Sequence, residues 1–386
     1  MLDKYSSLHD IDLVILAGGK GSRIKKLLGK YPKPMLRFNE KHFIQYILNN
    51  KSKYNFKRII ILCGFRSNIL FKKFHKKKKN LTEIVCLQEK KLLGTGGALS
   101  NLKKLKVKNF VLTNGDTIFD ININLLVSSL KKDNIATVAL TQNKSQASKK
   151  LNSLSLTNNK IIFKKSIFKY IKNEKFSLEE DLLPKLIFKK KVNGKVFNNF
   201  FIDIGSKYYL KIAERKLKKQ YTKSAIFLDR DGVINYDYGY VHKINGFKFR
   251  PGVLQGLKYL TKKNYYIFVI TNQAGIGKKI FTEKQFFKLH RNINKKLKKF
   301  NIFFHDVQFS PFHPKAKIKK YKKNSLMRKP GNKMIENIKF NWDINKKKSF
   351  MIGDRVSDKL AAEKSGLKFY YAKQNFFAQI KSIINN

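Results

Sequence analysis

Ile226–Asn235, IFLDRDGVIN, is the stretch whose reading decides the fold. Ala225 to Leu228 is an apolar run of the kind that forms a buried parallel strand. Gly232 permits a sharp turn, which leaves Asp229 and Asp231 at the strand's carboxyl end. Open α/β sheets place their chemistry there. A carboxylate at Asp229 is placed to attack phosphorus, while Asp231 protonates the leaving oxygen and later activates water. An Asp-x-Asp pair also describes loop carboxylates and metal sites, so residues on other strand ends must settle the matter.

Those residues follow in order. Tyr265 to Ile270 reads as a second buried strand ending in Thr271 and Asn272, whose hydroxyl and amide would meet the phosphoryl group that Asp229 receives. Arg328 and Lys329 precede Pro330. Phe350 to Asp354 forms a further strand ending in a carboxylate, with Asp358 soon after. GIGKK, Gly275 to Lys279, has Asn272 where a P-loop needs glycine and Lys279 where it needs Ser or Thr, so it is not read as one. Thr282 and Gln285 predict a capping box on the following helix.

Asp-x-Asp, Thr271, Lys329 and Gly-Asp-x3-Asp together resemble the four motifs of the haloacid dehalogenase superfamily of phosphatases. The resemblance implies Asp229 as nucleophile, Asp231 as acid/base, and Thr271 and Lys329 as phosphate stabilisers. It also implies Asn272 and Arg328 as substrate contacts, and Mg²⁺ held among Asp229, Asp231 and Asp354. FLDRDGVIN, GYVHKINGFKFRPGV, TNQAGIGK, FTEKQF, MRKP and GDRVSD are similar, more narrowly, to the heptose 1,7-bisphosphate 7-phosphatases. Histidinol-phosphate phosphatases share much of this vocabulary, and both groups are capless. The loop from Tyr236 to Phe249 and the segment from Pro311 to Arg328 are therefore expected to cover the substrate. Many relatives carry a structural zinc. Ser310, Phe312, Ser325 and Met327 stand at the aligned ligand positions, and His313 alone cannot make a tetrahedral site, so no zinc is expected.

The first half alternates short apolar strands (Asp12–Ala17, Arg58–Cys63, Glu83–Leu87, Phe110–Thr113, Ile135–Leu140) with helical segments such as His42–Asn50 and Gly97–Leu105. This predicts a mainly parallel sheet covered on both faces. After the first strand comes LAGGKGSRI, where Gly18, Gly19, Gly21 and Ser22 can fold backbone amides around a phosphate and Arg23 adds a forked donor. Lys33 sits between two prolines in YPKPML. LAGGKGSRI followed by PKPM resembles the signature of the sugar-1-phosphate nucleotidyltransferases. Gln88 with Glu89, the GTGGA loop with Gly94, Gly96 and Gly97, Asp116 of NGD, Glu179 and Asp203 of FIDIGS agree with it in order. The resemblance implies Gln88, Glu179 and the glycines as substrate contacts, Asp116 and Asp203 as Mg²⁺ ligands, and Arg23 and Lys33 as catalytic cations. Between Asp116 and Asp203 the family's Phe-x-Glu-Lys strand and Asn-x-Gly turn are missing. Ser148 to Lys175 offers one strand-like piece, Lys160 to Lys164, which leaves open a rebuilt sugar pocket or an impaired half that only binds.

At 386 residues and 42% hydrophobic content the chain can hold two cores. The expected fold class is α/β, in two domains that are each a mainly parallel Rossmann-like sheet flanked by helices. A charged helical stretch, Ala213–Lys223, ends the first domain, giving residues 1–222 and 223–386. The net charge of +59 comes from Lys spread over the whole length beside abundant Asn, Ile, Phe and Tyr, a pattern that A/T-rich coding explains. Specific nucleic-acid binding is not expected from it, although the field favours anionic sugar phosphates and nucleotides. Cys63 and Cys86 read as buried thiols, no apolar run reaches the ~18 residues of a membrane span, and the amino terminus lacks a leader pattern, so a cytoplasmic location is expected. The two halves suit consecutive steps: removal of one phosphate from a heptose bisphosphate, then nucleotidyl transfer to the heptose 1-phosphate, with GTP the preferred donor. A hexose 1-phosphate or a histidinol-type phosphate is the alternative. The oligomeric state is not legible.

Overall fold

The computed structural model describes residues 8–141, 160–205 and 207–385, without the side chains of Arg23, Lys25 and Lys207. Ser206 and the Lys- and Ser-rich stretch from Ser148 to Asn159 lie outside them. The chain divides into two compact units, Met1–Gln220 and Tyr221–Asn386.

The strands of the first unit begin with the apolar runs Asp12–Leu16 (β1) and Ile59–Cys63 (β4), the short pairs Arg37–Phe38 (β2), Lys41–His42 (β3) and Lys78–Lys79 (β5), and the alternating Thr82–Gln88 (β6). They are followed by Phe110–Asn114 (β7), Thr117–Phe119 (β8), Ala136–Leu140 (β9), Lys160–Phe163 (β10), Val192–Val196 (β11) and Phe201–Asp203 (β12). Eight of these form one sheet in the order β11-β9-β10-β7-β1-β4-β6-β5. Its spine is parallel, whereas β10 and β5 run against their neighbours. Successive side chains on a strand face opposite sides. Val14, Ile60, Leu62, Phe110 and Leu112 enter one core with Leu99, Leu102 and Leu183. Leu13, Ile15, Ile59 and Ile61 are buried as well, as are Phe43, Ile44 and Ile47 of the helix Phe43–Ser52. The helical stretch expected at Gly97–Leu105 is a single α-turn, Gly94–Gly97, followed by a tighter 3-10 run, Ala98–Leu105. Cys63 and Cys86 are buried free thiols on neighbouring strands.

The second unit is a five-stranded, all-parallel sheet ordered β15-β14-β13-β16-β17. Its strands are Ala225–Leu228 (β13), Tyr266–Asn272 (β14), Asp306–Ser310 (β15), Phe350–Gly353 (β16) and Lys368–Tyr371 (β17). The strand that opened the sequence reading is thus central, paired with β14 on one side and β16 on the other. That placement puts Thr271, Asn272 and Asp354 beside Asp229 at adjoining strand ends. One face packs on Met334, Ile335, Ile338 and Trp342. Helices Val253–Lys262 and Glu283–Lys298 bury Leu257, Leu260, Phe286 and Leu289. The capping box forms as expected, with the Thr282 N–H donating to Gln285 Oε1 (2.8 Å) and the Gln285 N–H to Thr282 Oγ1 (3.2 Å). Among the described residues, no helix is long and apolar enough to cross a membrane.

Candidate active site

At the carboxyl ends of β13 and β14 lies a cavity of about 580 Å³, lined among others by Asp229, Asp231, Thr271, Asn272, Arg328 and Lys329. The buried Lys329 ammonium lies 2.8 Å from Asp229 Oδ1 and 2.6 Å from Asp358 Oδ1, and donates to the Ile270 carbonyl at 2.9 Å. Asp229 Oδ1 also accepts from the Arg230 N–H at 2.8 Å. The described contacts of this carboxylate therefore fall on Oδ1, which leaves Oδ2 with the lone pairs to attack. Burial pushes the Asp229 carboxyl up to about 7; the charges of Asp358 and Asp231 add to this and Lys329 opposes it. Burial works to lower Lys329, but Asp229 and Asp358 more than offset it and keep the amine protonated.

Oxygen atoms of Asp229, Asp354 and Asp358 lie within 4.8 Å of one another. Three carboxylates stand against two cations, the Lys329 ammonium and the Arg355 guanidinium 3.8 Å from Asp354 Oδ2, and hard oxygen donors are what Mg²⁺ takes. The donor set therefore fits a divalent cation held by Asp229, Asp354 and Asp358, which would neutralise the phosphoryl oxygens. The Asp231 carboxylate, expected among the metal ligands, lies outside that group of three. Both of its oxygens are taken by the buried Arg230 guanidinium (2.7 Å to Oδ2, 3.0 and 3.1 Å to Oδ1), by Asn235 Nδ2 (2.9 Å) and by Gln273 Nε2 (3.0 Å). Asp358, noted in the sequence only as the end of a motif, is the third member of the group. Asp358 Oδ2 also accepts from the backbone N–H groups of Asp354 and Arg355, at 3.2 and 3.1 Å.

Two positioning residues escaped the sequence reading. Gln273 Nε2 donates to Thr271 Oγ1 (2.8 Å) as well as to Asp231, so one amide orients two expected site residues. Arg230 carries no pattern of its own, being the unspecified residue of Asp-x-Asp. Asn272 was expected to touch substrate. It lines the cavity, and its side-chain amide pairs with both backbone groups of Lys329, accepting from the N–H (3.0 Å) and donating to the carbonyl (3.1 Å), and so fixes the lysine. The aligned zinc positions hold other contacts. Ser325 Oγ accepts from the Met327 N–H at 3.2 Å, and Phe312 packs edge-on against Tyr321 with centroids 5.8 Å apart.

Gly232 is fixed by geometry. Its φ is +83°, and a Cβ there would lie 2.2 Å from Asp354 Oδ2. Gly232→Ala is expected to displace the Asp354 carboxylate and to cost about 1–3 kcal/mol of stability. Phosphate release should fall with a raised Mg²⁺ requirement, measured by titrating Mg²⁺ against rate; a wild-type Mg²⁺ curve would refute this.

In the first unit, Gly18, Gly19, Gly21 and Ser22 follow β1, and a Cβ at Gly18 would meet the Gly64 backbone at 3.3 Å. The Arg23 side chain lies outside the described residues. Lys33 Nζ pairs with Asp116 Oδ2 at 2.6 Å. Pairing of β8 with β12 sets Asp203 opposite Thr117, and the Ile204 N–H donates to the Asp116 carbonyl at 3.0 Å. Asp116, Asp203 and Lys33 therefore converge, because a Cβ at Gly205 would meet Asp203 Oδ1 at 2.8 Å and Lys33 Nζ at 2.9 Å. The GTGGA glycines serve packing: Cβ atoms at Gly96 and Gly97 would strike the Phe176 ring and the Glu174 carbonyl, each at 2.1 Å. Glu179 accepts from the Thr95 hydroxyl, and Thr95 Oγ1 accepts from the Leu178 N–H at 2.9 Å. Gln88 Nε2 donates to Ser67 Oγ (2.9 Å) and Asn68 Oδ1 (2.8 Å).

A nucleotidyl transferase family model matches residues 13–150, and a polynucleotide kinase 3 phosphatase model matches residues 228–383. The D-glycero-beta-D-manno-heptose-1,7-bisphosphate 7-phosphatase of Photorhabdus laumondii is 40% identical over 138 residues, covering 36% of this chain and 73% of the relative. The protein of the same name from Rhodopseudomonas palustris is 34% identical over 163 residues, covering 42% of this chain and 91% of the relative. A crystal structure of D,D-heptose 1,7-bisphosphate phosphatase from B. bronchiseptica, complexed with magnesium and phosphate, is 23% identical and covers 41% of this chain and 86% of its own, with a TM-score of 0.36.

Proposed function

Since the chain belongs, through its C-terminal half, to the family of the D-glycero-beta-D-manno-heptose-1,7-bisphosphate 7-phosphatases, we propose that this half removes the 7-phosphate of that heptose bisphosphate. The joined nucleotidyl transferase domain makes the chain a two-activity enzyme of nucleotide-sugar biosynthesis. In our reading it then transfers a nucleotidyl group, GMP from GTP, to the heptose 1-phosphate. We place the enzyme in the cytoplasm, with Mg²⁺ in both halves and neither zinc nor nucleic acid required.

The observation that carries the phosphatase reading is the Asp229 carboxylate, bound through one oxygen to Lys329 and open at the other, in a cavity shared with Asp231 and Thr271. Asp229 Oδ2 forms the bond to phosphorus as the sugar–oxygen bond to phosphorus breaks, and Asp231 gives the departing oxygen its proton. Lys329 and Thr271 hold the phosphoryl oxygens. Water, deprotonated by Asp231, then attacks the aspartyl phosphate and frees inorganic phosphate. Arg230 and Gln273 hold Asp231 for both steps. In the other half a sugar 1-phosphate oxygen attacks the α-phosphorus and pyrophosphate leaves. Lys33 neutralises charge there, and Asp116 and Asp203 would hold the cation.

Incubating the chain with heptose 1,7-bisphosphate and each nucleoside triphosphate in turn tests the whole reading. The expected products are inorganic phosphate, pyrophosphate and a GDP-heptose. Phosphate without a nucleotide sugar under any triphosphate would confine the activity to the C-terminal half, and release of phosphate from histidinol phosphate in preference would replace the substrate.

A further inference from the structure

We propose that His290 is a positioning residue of the phosphatase: with the Asn294 amide it holds, through one bridging water, the far side of the Arg230 guanidinium that carries Asp231. The proposal rests on the phosphatase reading above and deepens it. Arg230 is 1% exposed, and one side of its fork is fully engaged. Nε and Nη2 grip Asp231, and Nη2 also donates to the Val241 carbonyl at 2.8 Å and to Gln273 Oε1 at 3.3 Å. The other terminal nitrogen, Nη1, is buried and finds no acceptor among the described residues. A guanidinium N–H left unpaired in an interior is costly, and a fork held on one side only is free to swing.

The helix Glu283–Lys298 presents what that nitrogen lacks. Phe286, His290 and Asn294 recur along one side of it, each a turn beyond the last. Phe286 turns this side toward the arginine, its ring centroid 5.8 Å from Arg230 Cζ, and the His290 ring lies 4.4 Å from the Phe286 ring. His290 is fully buried, yet neither Nδ1 nor Nε2 has a partner among the described residues, and the same holds for Oδ1 and Nδ2 of Asn294. Burial, and after it the charge of Arg230, hold the imidazole well below its ordinary value, so the ring is neutral and offers one bare nitrogen as an acceptor. Donors and acceptors then balance. A water that accepts from Arg230 Nη1 and donates to the bare His290 nitrogen and to Asn294 Oδ1 satisfies three buried groups at once. An apolar side chain in place of the imidazole would pack on Phe286 with no buried nitrogen to satisfy, so a merely structural role predicts that the imidazole is dispensable.

The test uses the leaving group, because Asp231 matters most where the departing oxygen needs a proton. Heptose 1,7-bisphosphate has such a leaving group, whereas p-nitrophenyl phosphate and acetyl phosphate release anions that are stable without one. In the full chain with Mg²⁺, kcat/KM for each reports the transfer to Asp229 and not the later attack of water. His290→Leu is expected to lower it by roughly tenfold for the bisphosphate and by less than about twofold for the other two substrates, with the unfolding temperature unchanged or raised. His290→Gln, whose amide oxygen again accepts, should recover most of the lost rate. Asn294→Leu removes one of the two acceptors and should show the same contrast at about threefold, which keeps the test open if His290→Leu does not fold. An equal fall for all three substrates, or full activity on the bisphosphate in the leucine variants, would overturn the role of His290 while leaving the phosphatase intact. A wild-type chain that cleaves none of the three would instead overturn the phosphatase reading.

Discussion

Replacing Asp229 with asparagine is expected to lower phosphate release from the sugar bisphosphate by at least about 10⁴-fold in a chain that still folds. The size of the effect follows from what the residue does. An amide oxygen forms no stable bond to phosphorus, so the route through an aspartyl phosphate closes and no other described group replaces it. Asp231 does not substitute, because Arg230 and Gln273 hold it for proton transfer. Folding should survive because the substitution keeps the shape of the side chain and leaves Lys329 paired with Asp358 at 2.6 Å. It also removes one of three crowded carboxylates from a site that already pushes Asp229 up to about 7. Phosphate release and thermal unfolding measured on the same sample separate these effects. A variant that folds and releases phosphate at more than a few per cent of the wild-type rate would show that Asp229 is not the nucleophile. Lys329→Met makes a useful contrast, since it strands Asp229 and Asp358 together in a buried place and should cost roughly 3–5 kcal/mol of stability.

What the sequence made legible and what it hid divide along a physical line. The strands that could be read are runs of apolar residues buried on both faces, as in Ile59–Cys63 and Ala225–Leu228, and that pattern needs no partner to be recognised. Residues at the strand ends could be read for the same reason, since their place follows from the strand that carries them: Asp229, Thr271 and Asp354 are of this kind, whereas Asp116 came with the family resemblance. The antiparallel insertion of β10 between β9 and β7 was not foreseen, because pairing direction is set by the path of the chain and leaves no trace in composition. Nor was the grouping of Asp358 with Asp229 and Asp354. Which carboxylate joins a cluster depends on where the neighbouring cations point, and the fork of Arg230 lies only one residue from the acid it captures. Gln273 was hidden in the same way: it bonds to Asp231, remote in sequence, and to Thr271 across a turn. The glycines of GTGGA could be recognised as necessary. Their structural reason is the close approach of Glu174 and Phe176, which spacing alone does not reveal.

In the other half, Asp116→Asn is expected to lower nucleotidyl transfer by about 10³-fold. Asp116 stands just past the end of β7, tied to Lys33 at 2.6 Å, with Asp203 brought alongside by the pairing of β8 with β12. If the two aspartates hold the cation between them, neutralising one removes half of the protein's charge from that site and also frees Lys33 from its partner. The lysine then lacks the carboxylate that orients it toward the phosphates, so positioning and charge neutralisation fail together. The side chain of Asp116 is 30% exposed, which keeps the loss of the ion pair from unfolding the unit. Pyrophosphate release from GTP and heptose 1-phosphate measures the effect, and phosphate release from the bisphosphate in the same tube reports whether the chain is intact. A transfer rate within tenfold of wild type would take Asp116 out of the cation site. Loss of both activities at once would mean that the substitution had damaged the chain and not the chemistry. Asp203→Asn should match Asp116→Asn closely, and the double variant should be little worse than either, because two ligands of one cation fail as a unit.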